Sequence, residues 1–476
     1  MKVLVVALNR SRQPAAVMPY GACVAAQAAL DAGHKTRLLD LMFARAPAAA
    51  LERACRAFRP DVLGFSLRNI DNNDMRSPVS YAGEAAALIA AARGACGARV
   101  ALGGAAVAVM PEALLRRTGA DWCVTGDGAA AFPRLLAALA LGRDPRGLPG
   151  VGSLNGGRYA CAPPDLTGPC GDGFYPDFGR WLDLRAYAGQ MAAVPLKTKL
   201  GCPYGCTYCT YPAGEGREYR LAPPELAAAA VRRLAARGVR DIEFVDNVFN
   251  SPYRHAMELC GLLAAGGGAG PRLHTMELNP AFTDGPLLDV MESAGFAGIG
   301  VTAESADDGV LAALGKNYRA AHLERAAAAV ERHNIPCMWI FLLGGPGETR
   351  ESVARTLAFA RGRVRPTDTV FFNAGVRIYP GTPLEARARS EGELRTPAAD
   401  LLEPEFYVSP GVDREWLLGA VAGAAAANPN FIDSNSIGLP YLSGLYRLAH
   451  FAGVRPPLWR HTRFLRRGLR LLGVKA

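Results

Sequence analysis

The chain has 476 residues, half of them hydrophobic and a fifth charged, which excludes a disordered protein and leaves room for two or three domains. Its net charge of +10 is concentrated in a basic tail, 455–476, whose arginines do not interleave with aromatics and so do not read as a base-stacking platform. The longest apolar run, 416–427, is shorter than the ~20 residues that span a bilayer, and the N-terminus lacks the features of a signal peptide, so the expectation is a cytoplasmic protein.

Short apolar strands alternate with helical patterns from the start. "KVLVVAL" (2–8), "KTRLLDL" (35–41), "DVLGFSL" (61–67), "ARVALGG" (98–104) and "DWCVTG" (121–126) read as strands, with helices between them. This rhythm predicts a doubly wound, Rossmann-like α/β domain over 1–141, whose ligand lies at the carboxyl ends of the strands. Those ends carry no G-x-G-x-x-G turn, which excludes the dinucleotide fingerprint. They offer Gly103, Gly104, Gly126 and Gly128, where bare backbone could approach something bulky. Residues 142–191, rich in Pro, Gly and Asp, read as a linker with a hairpin near 154–159. From 192 to 390 six further strand–helix units predict a partial (β/α)6 TIM-type barrel, with reactive residues at the strand C-terminal ends. The region 391–476 reads as a mostly helical accessory part. Its tail is first a solvated helix and second a membrane-surface or anion-binding one.

"LGCPYGCTYCTYP" (200–212) follows the first barrel strand and places Cys202, Cys206 and Cys209 four and three residues apart. Thiolates suit zinc or iron–sulfur clusters. Structural zinc closes with four ligands, yet the next candidates, His255 and Cys260, lie roughly 50 residues on. A 4Fe-4S cube held by three cysteines keeps one iron open, the logic of a catalytic metal. The other eight of the 11 cysteines read as small buried hydrophobes in a reducing compartment.

With C-x3-C-x2-C placed at the start of such a barrel, the chain resembles the radical S-adenosylmethionine (SAM) enzymes. "PDVLGFSLRNIDN" (60–72), "AGHKTRLLDL" (32–41), "FVDNVFN" (244–250), "ESADDGVLAALGKN" (304–317), "GGPGET" (344–349) and "YPGTPL" (379–384) narrow the likeness to the cobalamin-binding branch, with methyltransferases among its members. "FYVSP" (406–410) and "PPLW" (456–459) extend it weakly. The resemblance implies that Cys202, Cys206 and Cys209 hold the cluster. It implies SAM contacts from Tyr208, Asp246, Asn247, Glu304, Gly344, Gly345 and Arg377. Cobalamin contacts would come from Arg68, Asn69 and the four glycines of the first domain. Glu277 and Asp246 are the catalytic candidates, and His274 is a second residue that could face substrate.

One departure from the branch concerns cobalt. The loop after the first strand, "NRSRQPAAVMPYG" (9–21), has no histidine, so the imidazole that many cobalamin domains place on cobalt is missing. His34 is poorly placed to replace it. Arg68, at the end of the third strand, is expected to block or tune the lower face, because a guanidinium has no free lone pair to coordinate with. The activity implied is transfer of a methyl group from methylcobalamin to a carbon of a small molecule, with electrons from a flavodoxin- or ferredoxin-type donor. The alternatives are a cobalamin-dependent cyclase or rearrangement enzyme, and, in another class, an iron–sulfur redox sensor or electron carrier.

Overall fold

The structure, a computed structural model, describes all residues except 169, 267–269, 437–441 and 472–476. The N-terminal strands form as the apolar runs predict: β1 (Lys2–Ala7), β2 (Lys35–Asp40), β3 (Val62–Ser66), β4 (Arg99–Gly103) and β5 (Trp122–Val124). They pair in parallel in the order β2-β1-β3-β4-β5. Val3 and Val5 face one apolar core and Leu4 and Val6 the other, so both faces of the sheet are covered. The stretch expected as a linker instead extends this sheet. β6 (Val151–Asn155) and β7 (Arg158–Cys161) form the hairpin and add two antiparallel strands beyond β5.

The second sheet is all parallel. β8 (Val194–Leu196) is followed by the two-residue pair β9 (Lys199–Leu200) and β10 (Arg220–Leu221), which brackets the cysteine loop. β11 (Asp241–Phe244), β12 (Arg272–Leu278), β13 (Phe296–Glu304), β14 (Cys337–Leu343) and β15 (Thr369–Ala374) complete the six expected strands. β16 (Val376–Arg377) and β17 (Phe406–Tyr407) form a short antiparallel pair. The C-terminal region then supplies a seventh barrel strand, β18 (Phe431–Asp433), parallel to β15. Sequence pattern missed it because three residues carry no periodicity. Along β11 the alternation is visible directly: Ile242 and Phe244 are buried among the outer helices, whereas Glu243 and Val245 are half-buried on the lumen side.

Segment 69–77, which follows β3, is the joint between the two sheets. Arg377 on β16 donates from Nε to Asp71 Oδ2 at 2.8 Å, and both side chains are buried. Its other nitrogens donate to the carbonyls of Ile378 and Leu401. Met75 N donates to Asn435 Oδ1 at 3.0 Å, and Arg414 donates to Met75 O at 2.7 Å. Gly375, at φ +79°, admits no side chain, since a Cβ there would stand 2.3 Å from Met75 Sδ. The Arg377 guanidinium, expected at a SAM carboxylate, is engaged in this interdomain contact.

Removing one partner of a buried ion pair strands the other charge. Asp71→Ala is expected to cost about 3–5 kcal/mol, read as a lowered urea midpoint, and the double variant Asp71→Ala/Arg377→Met to regain most of it.

Candidate functional site

The cysteine loop is held by backbone contacts from three sides. Cys202 N donates to Gly216 O at 3.1 Å, Thr207 N to Leu314 O at 3.0 Å, and Leu384 N to Thr207 O at 3.0 Å. Gly315, at φ +73°, lies so close that a Cβ would meet Gly205 O at 2.4 Å. All three thiols are free; Cys202 is buried and Cys206 and Cys209 are half-buried. Burial pushes Cys209 up to about 12, with the neighbouring Cys206 and Cys202 acting in the same direction. Among the described residues no His, Cys, Asp and Glu set converges on a single ion. Soft donors on one ordered loop, close enough to repel one another as thiolates, fit a cluster wider than one ion.

Beside Cys206 stands a compact polar group. Tyr208 donates its hydroxyl to Glu304 Oε1 at 2.6 Å. Lys316 Nζ lies 2.8 Å from the same carboxylate oxygen, 3.0 Å from Tyr208 Oη and 3.6 Å from Cys206 Sγ. Burial opposes the charge on Lys316, but Glu304, Tyr208, Tyr318 and Cys206 together outweigh it and keep the ammonium strongly protonated. Glu304 sits at φ +58°, beyond a register shift between Thr302 and Glu304. A non-glycine residue there is strained, and the twist turns the carboxylate toward the cysteine loop. Tyr208 and Glu304 were legible from motif position. Lys316 was not, although it lies inside the quoted stretch 304–317; its signal is the turn glycine before it.

Several other expected contacts prove to be structural. Asp246 is buried and accepts from Thr198 N at 2.7 Å, Thr198 Oγ1 at 2.6 Å and Lys199 N at 3.2 Å, with Lys199 Nζ 3.5 Å away. It fixes the chain after β8, and these are the contacts of the carboxylate expected at SAM or substrate. Asn247 donates to Glu215 Oε2 at 2.6 Å, and the other oxygen of Glu215 pairs with Lys197. Asn247 thus supports the loop through Glu215, which also accepts from Gly201 N. Gly344, at φ +89°, and Gly345 lie against Leu417 and Leu314, where a Cβ would come within 2.8 and 3.0 Å. His274 is buried, bonds Asp241 through Nε2 at 3.1 Å, and has its other nitrogen near Gly298, beneath Trp459. It sits at the strand-start end of the barrel, away from the cysteines.

Glu277 fares differently. It is half-buried on β12, and no hydrogen bond or ion pair engages its carboxyl among the described residues. Burial, then Glu304 and Glu243, push it up to about 8. Glu243 is raised for the same primary reason, with His274 and Arg68 opposing.

On the facing domain, an open groove runs along the ends of β1 and β3, lined by Asn9, Ser11, Arg68, Asn69, Tyr81 and Glu84 among others. Arg68 and Asn69 are exposed. The groove also holds a buried Arg10 Nε with no partner among the described residues, a donor that a polar ligand edge would satisfy. The glycines divide. A Cβ on Gly104 would strike Leu67 O at 2.3 Å, and one on Gly126 would strike Pro164 at 2.5 Å. Both are therefore required by the protein's own packing. Gly103 meets only ordinary contact with Val124, and Gly128 faces open space at a helix start capped by Asp127. Tyr211, whose ring is half-exposed, opens the short helix that packs on Ala108 of the facing domain through Gly214, and Arg68 opposes the upward push that Glu277, Cys209 and Glu215 add to burial at its hydroxyl.

A cysteine-loop barrel facing an open α/β groove defines a two-cofactor class of protein. The Radical SAM superfamily model matches residues 197–360, and the B12 binding domain model matches residues 14–136. The chain thus carries a B12-binding domain followed by a radical SAM domain, the arrangement of the cobalamin-dependent radical SAM enzymes. It is 26% identical over 308 residues to an uncharacterized methyltransferase of Pyrococcus horikoshii, covering 62% of this chain and 64% of that one. It is 24% identical over 442 residues to the tryptophan 2-C-methyltransferase of Streptomyces laurentii, covering 80% and 73% respectively. The solved radical SAM methyltransferase TsrM of Kitasatospora setae, with tryptophan and a SAM analogue bound, superposes with a TM-score of 0.86 over 99% of each chain at 23% identity. That likeness establishes a shared fold. No helix among the described residues is long and apolar enough to cross a membrane.

The turn 344–349 carries a pH dependence of its own. Glu348 is buried and bonded to Gly344 N and Ser352 Oγ. Burial lifts it to about 7, against the pull of both bonds. The native state therefore holds a proton that the unfolded chain releases near pH 4.3. Its contribution is complete below that pH and is lost as pH rises through 7, up to about 3 kcal/mol. Glu348→Gln is expected to flatten the fall in thermal midpoint between pH 5 and 8.

Proposed function

We propose that the protein is a cobalamin-dependent radical SAM methyltransferase acting on a carbon of a small molecule. The observation that carries this reading is the contact of helix Tyr211–Glu215, which follows the cysteines, with the B12-binding domain. A Cβ on Gly214 would stand 3.0 Å from that of Ala108, so the cysteine loop and the strand ends of the B12-binding domain pack side by side.

Cys202, Cys206 and Cys209 would hold the cluster, and the Tyr208–Glu304–Lys316 group beside them would take the polar part of SAM. Its ammonium and carboxylate match the carboxylate and amine of an amino acid. The groove at the ends of β1 and β3, with Asn69, Gly103 and the open position at Gly128, would take the corrin. When bound, the cluster and corrin together supply activation of SAM and carriage of the methyl group. Lumen residues Val245, Ile340, Leu342 and Phe371 are half-buried and suit a flat apolar substrate, with Glu243 and Glu277 at its polar edge. A raised Glu277 would act as a proton holder at neutral pH. The tryptophan methyltransferase likeness makes tryptophan the first compound to try. Reduction would come from an external flavodoxin- or ferredoxin-type donor.

Anaerobic reconstitution with iron, sulfide and a cobalamin is expected to give about four irons per chain and label transfer from methyl-labelled SAM to a compound in an aromatic metabolite panel. Alanine at any of the three cysteines is expected to lose iron and turnover while cobalamin stays bound. Retained turnover in those variants overturns the assignment. For Arg68, which would shield cobalt's lower face without ligating it, Arg68→His is expected to move the bound-cobalamin absorbance toward that of nitrogen-ligated cobalt. A wild-type spectrum already of that kind removes Arg68 from this role.

A further inference from the structure

The C-terminal segment is not absorbed by either cofactor site. After Asp433 the sequence holds eight basic residues and no acidic one, so most of the excess charge lies in the last 43 residues. Among the described residues no ion pair engages Arg447, Arg455, Arg463 or Arg467. Like charge accumulates here: burial and then the neighbours Arg272 and Arg455 disfavour the charge on Arg460. Among the described residues, three of the seven exposed large apolar side chains also fall here, Leu448, Phe451 and Phe464, at 67%, 90% and 68% exposure.

Both helices that carry them are moored to the body by their other faces. In helix Leu442–Phe451, Tyr446 donates to Pro14 O, and Ser443 O accepts from Gln190 at 3.4 Å. Its exposed positions are Gly444, Arg447, Leu448, His450 and Phe451; all but His450 are spaced i, i+3, i+4 and i+7, which is one face of a helix. Helix Thr462–Leu471 is tied by Thr462 to Trp459 O at 2.5 Å and by Arg466 to Phe431 O, and it turns Phe464 and Arg467 outward. Anchored amphipathic helices that present aromatic and leucine tips beside arginines match the chemistry of a bilayer interface. There the apolar tips enter the acyl boundary and the guanidiniums meet phosphates.

We propose that this C-terminal segment seats the protein on an anionic lipid surface, with Leu448, Phe451 and Phe464 inserted and the surrounding arginines on headgroup phosphates. An acidic electron carrier is the rival occupant. It is disfavoured because Trp459 packs at the strand-start end of the barrel, against Thr369 and Gly298, about a strand's length (roughly 20 Å) from the cysteine loop. A reductant seated at helix Thr462–Leu471 would be at the wrong end.

The test is co-sedimentation of the cofactor-loaded protein with phosphatidylcholine vesicles, alone or mixed with phosphatidylglycerol at about three to one. Binding to the mixed vesicles is expected to exceed that to pure phosphatidylcholine by about tenfold or more and to weaken as salt shortens the screening length. Phe451→Asp/Phe464→Asp and Arg463→Glu/Arg467→Glu are each expected to lose about tenfold or more. Unchanged cobalamin loading and circular dichroism show that each variant is folded. The proposal is overturned if the wild type stays in the supernatant with mixed vesicles at low salt, or if the folded phenylalanine variant sediments as the wild type does. Capture of an acidic electron-carrier protein by this face, without vesicle binding, would also overturn it.

Discussion

The buried pair of Arg377 and Asp71 is the constraint on which the cavity depends. It crosses from β16 of the barrel to the loop after β3 of the B12-binding domain, and that loop begins with Arg68 and Asn69. A charge pair taken out of water is a poor source of stability on its own. Its value here is registry: a guanidinium that must satisfy Asp71 and two carbonyls at once accepts one relative placement of the domains. Met75 filling the space over Gly375 enforces the same placement sterically. Arg68, three residues before Asp71, is thereby held near enough to the barrel for its charge to favour the ionised forms of Tyr211 and Glu243.

Much of the fold was legible because it is periodic. Continuous apolar strands such as 2–8 and the helix–strand alternation announced two parallel sheets, and the cysteine spacing announced the cluster loop. What escaped was short or non-local. β18 has three residues, and β6 and β7 lie in a segment whose composition reads as loop. Composition is set by the exposed turns around them, while their pairing is set by the free edge of β5.

The site was legible where a residue's role follows from chain position and illegible where it follows from a partner. Tyr208 and Glu304 sit at fixed offsets from the cysteines and the strand end. Asp246 and Arg377 look equally functional in sequence, since a charged residue at a barrel strand end is where catalysis is expected. Only the contacts separate them: Thr198 and Lys199 for one, Asp71 for the other. Gly104 and Gly126 carry the same lesson. A glycine at a strand end reports that something approaches closely, and here that something is Leu67 O and Pro164.

The distribution of charge in the cavity follows from this division. The barrel lumen supplies carboxylates at Glu243, Glu277 and Glu304, and among the described residues only Glu304 of these three has a fixed cation, Lys316. The opposing domain supplies Arg68. Burial raises the proton affinity of Glu243 and Glu277, and Glu304 and Glu243 raise that of Glu277 further, so the interior can keep a proton at neutral pH while the Lys316–Glu304 pair stays ionic beside the thiols. A compound that delivers positive charge or a hydrogen-bond donor to Glu243 and Glu277 would relieve that repulsion, which couples substrate entry to the protonation of the lumen. The coupling holds only while the two domains keep their register, and this returns the chemistry of the lumen to the contact between Asp71 and Arg377.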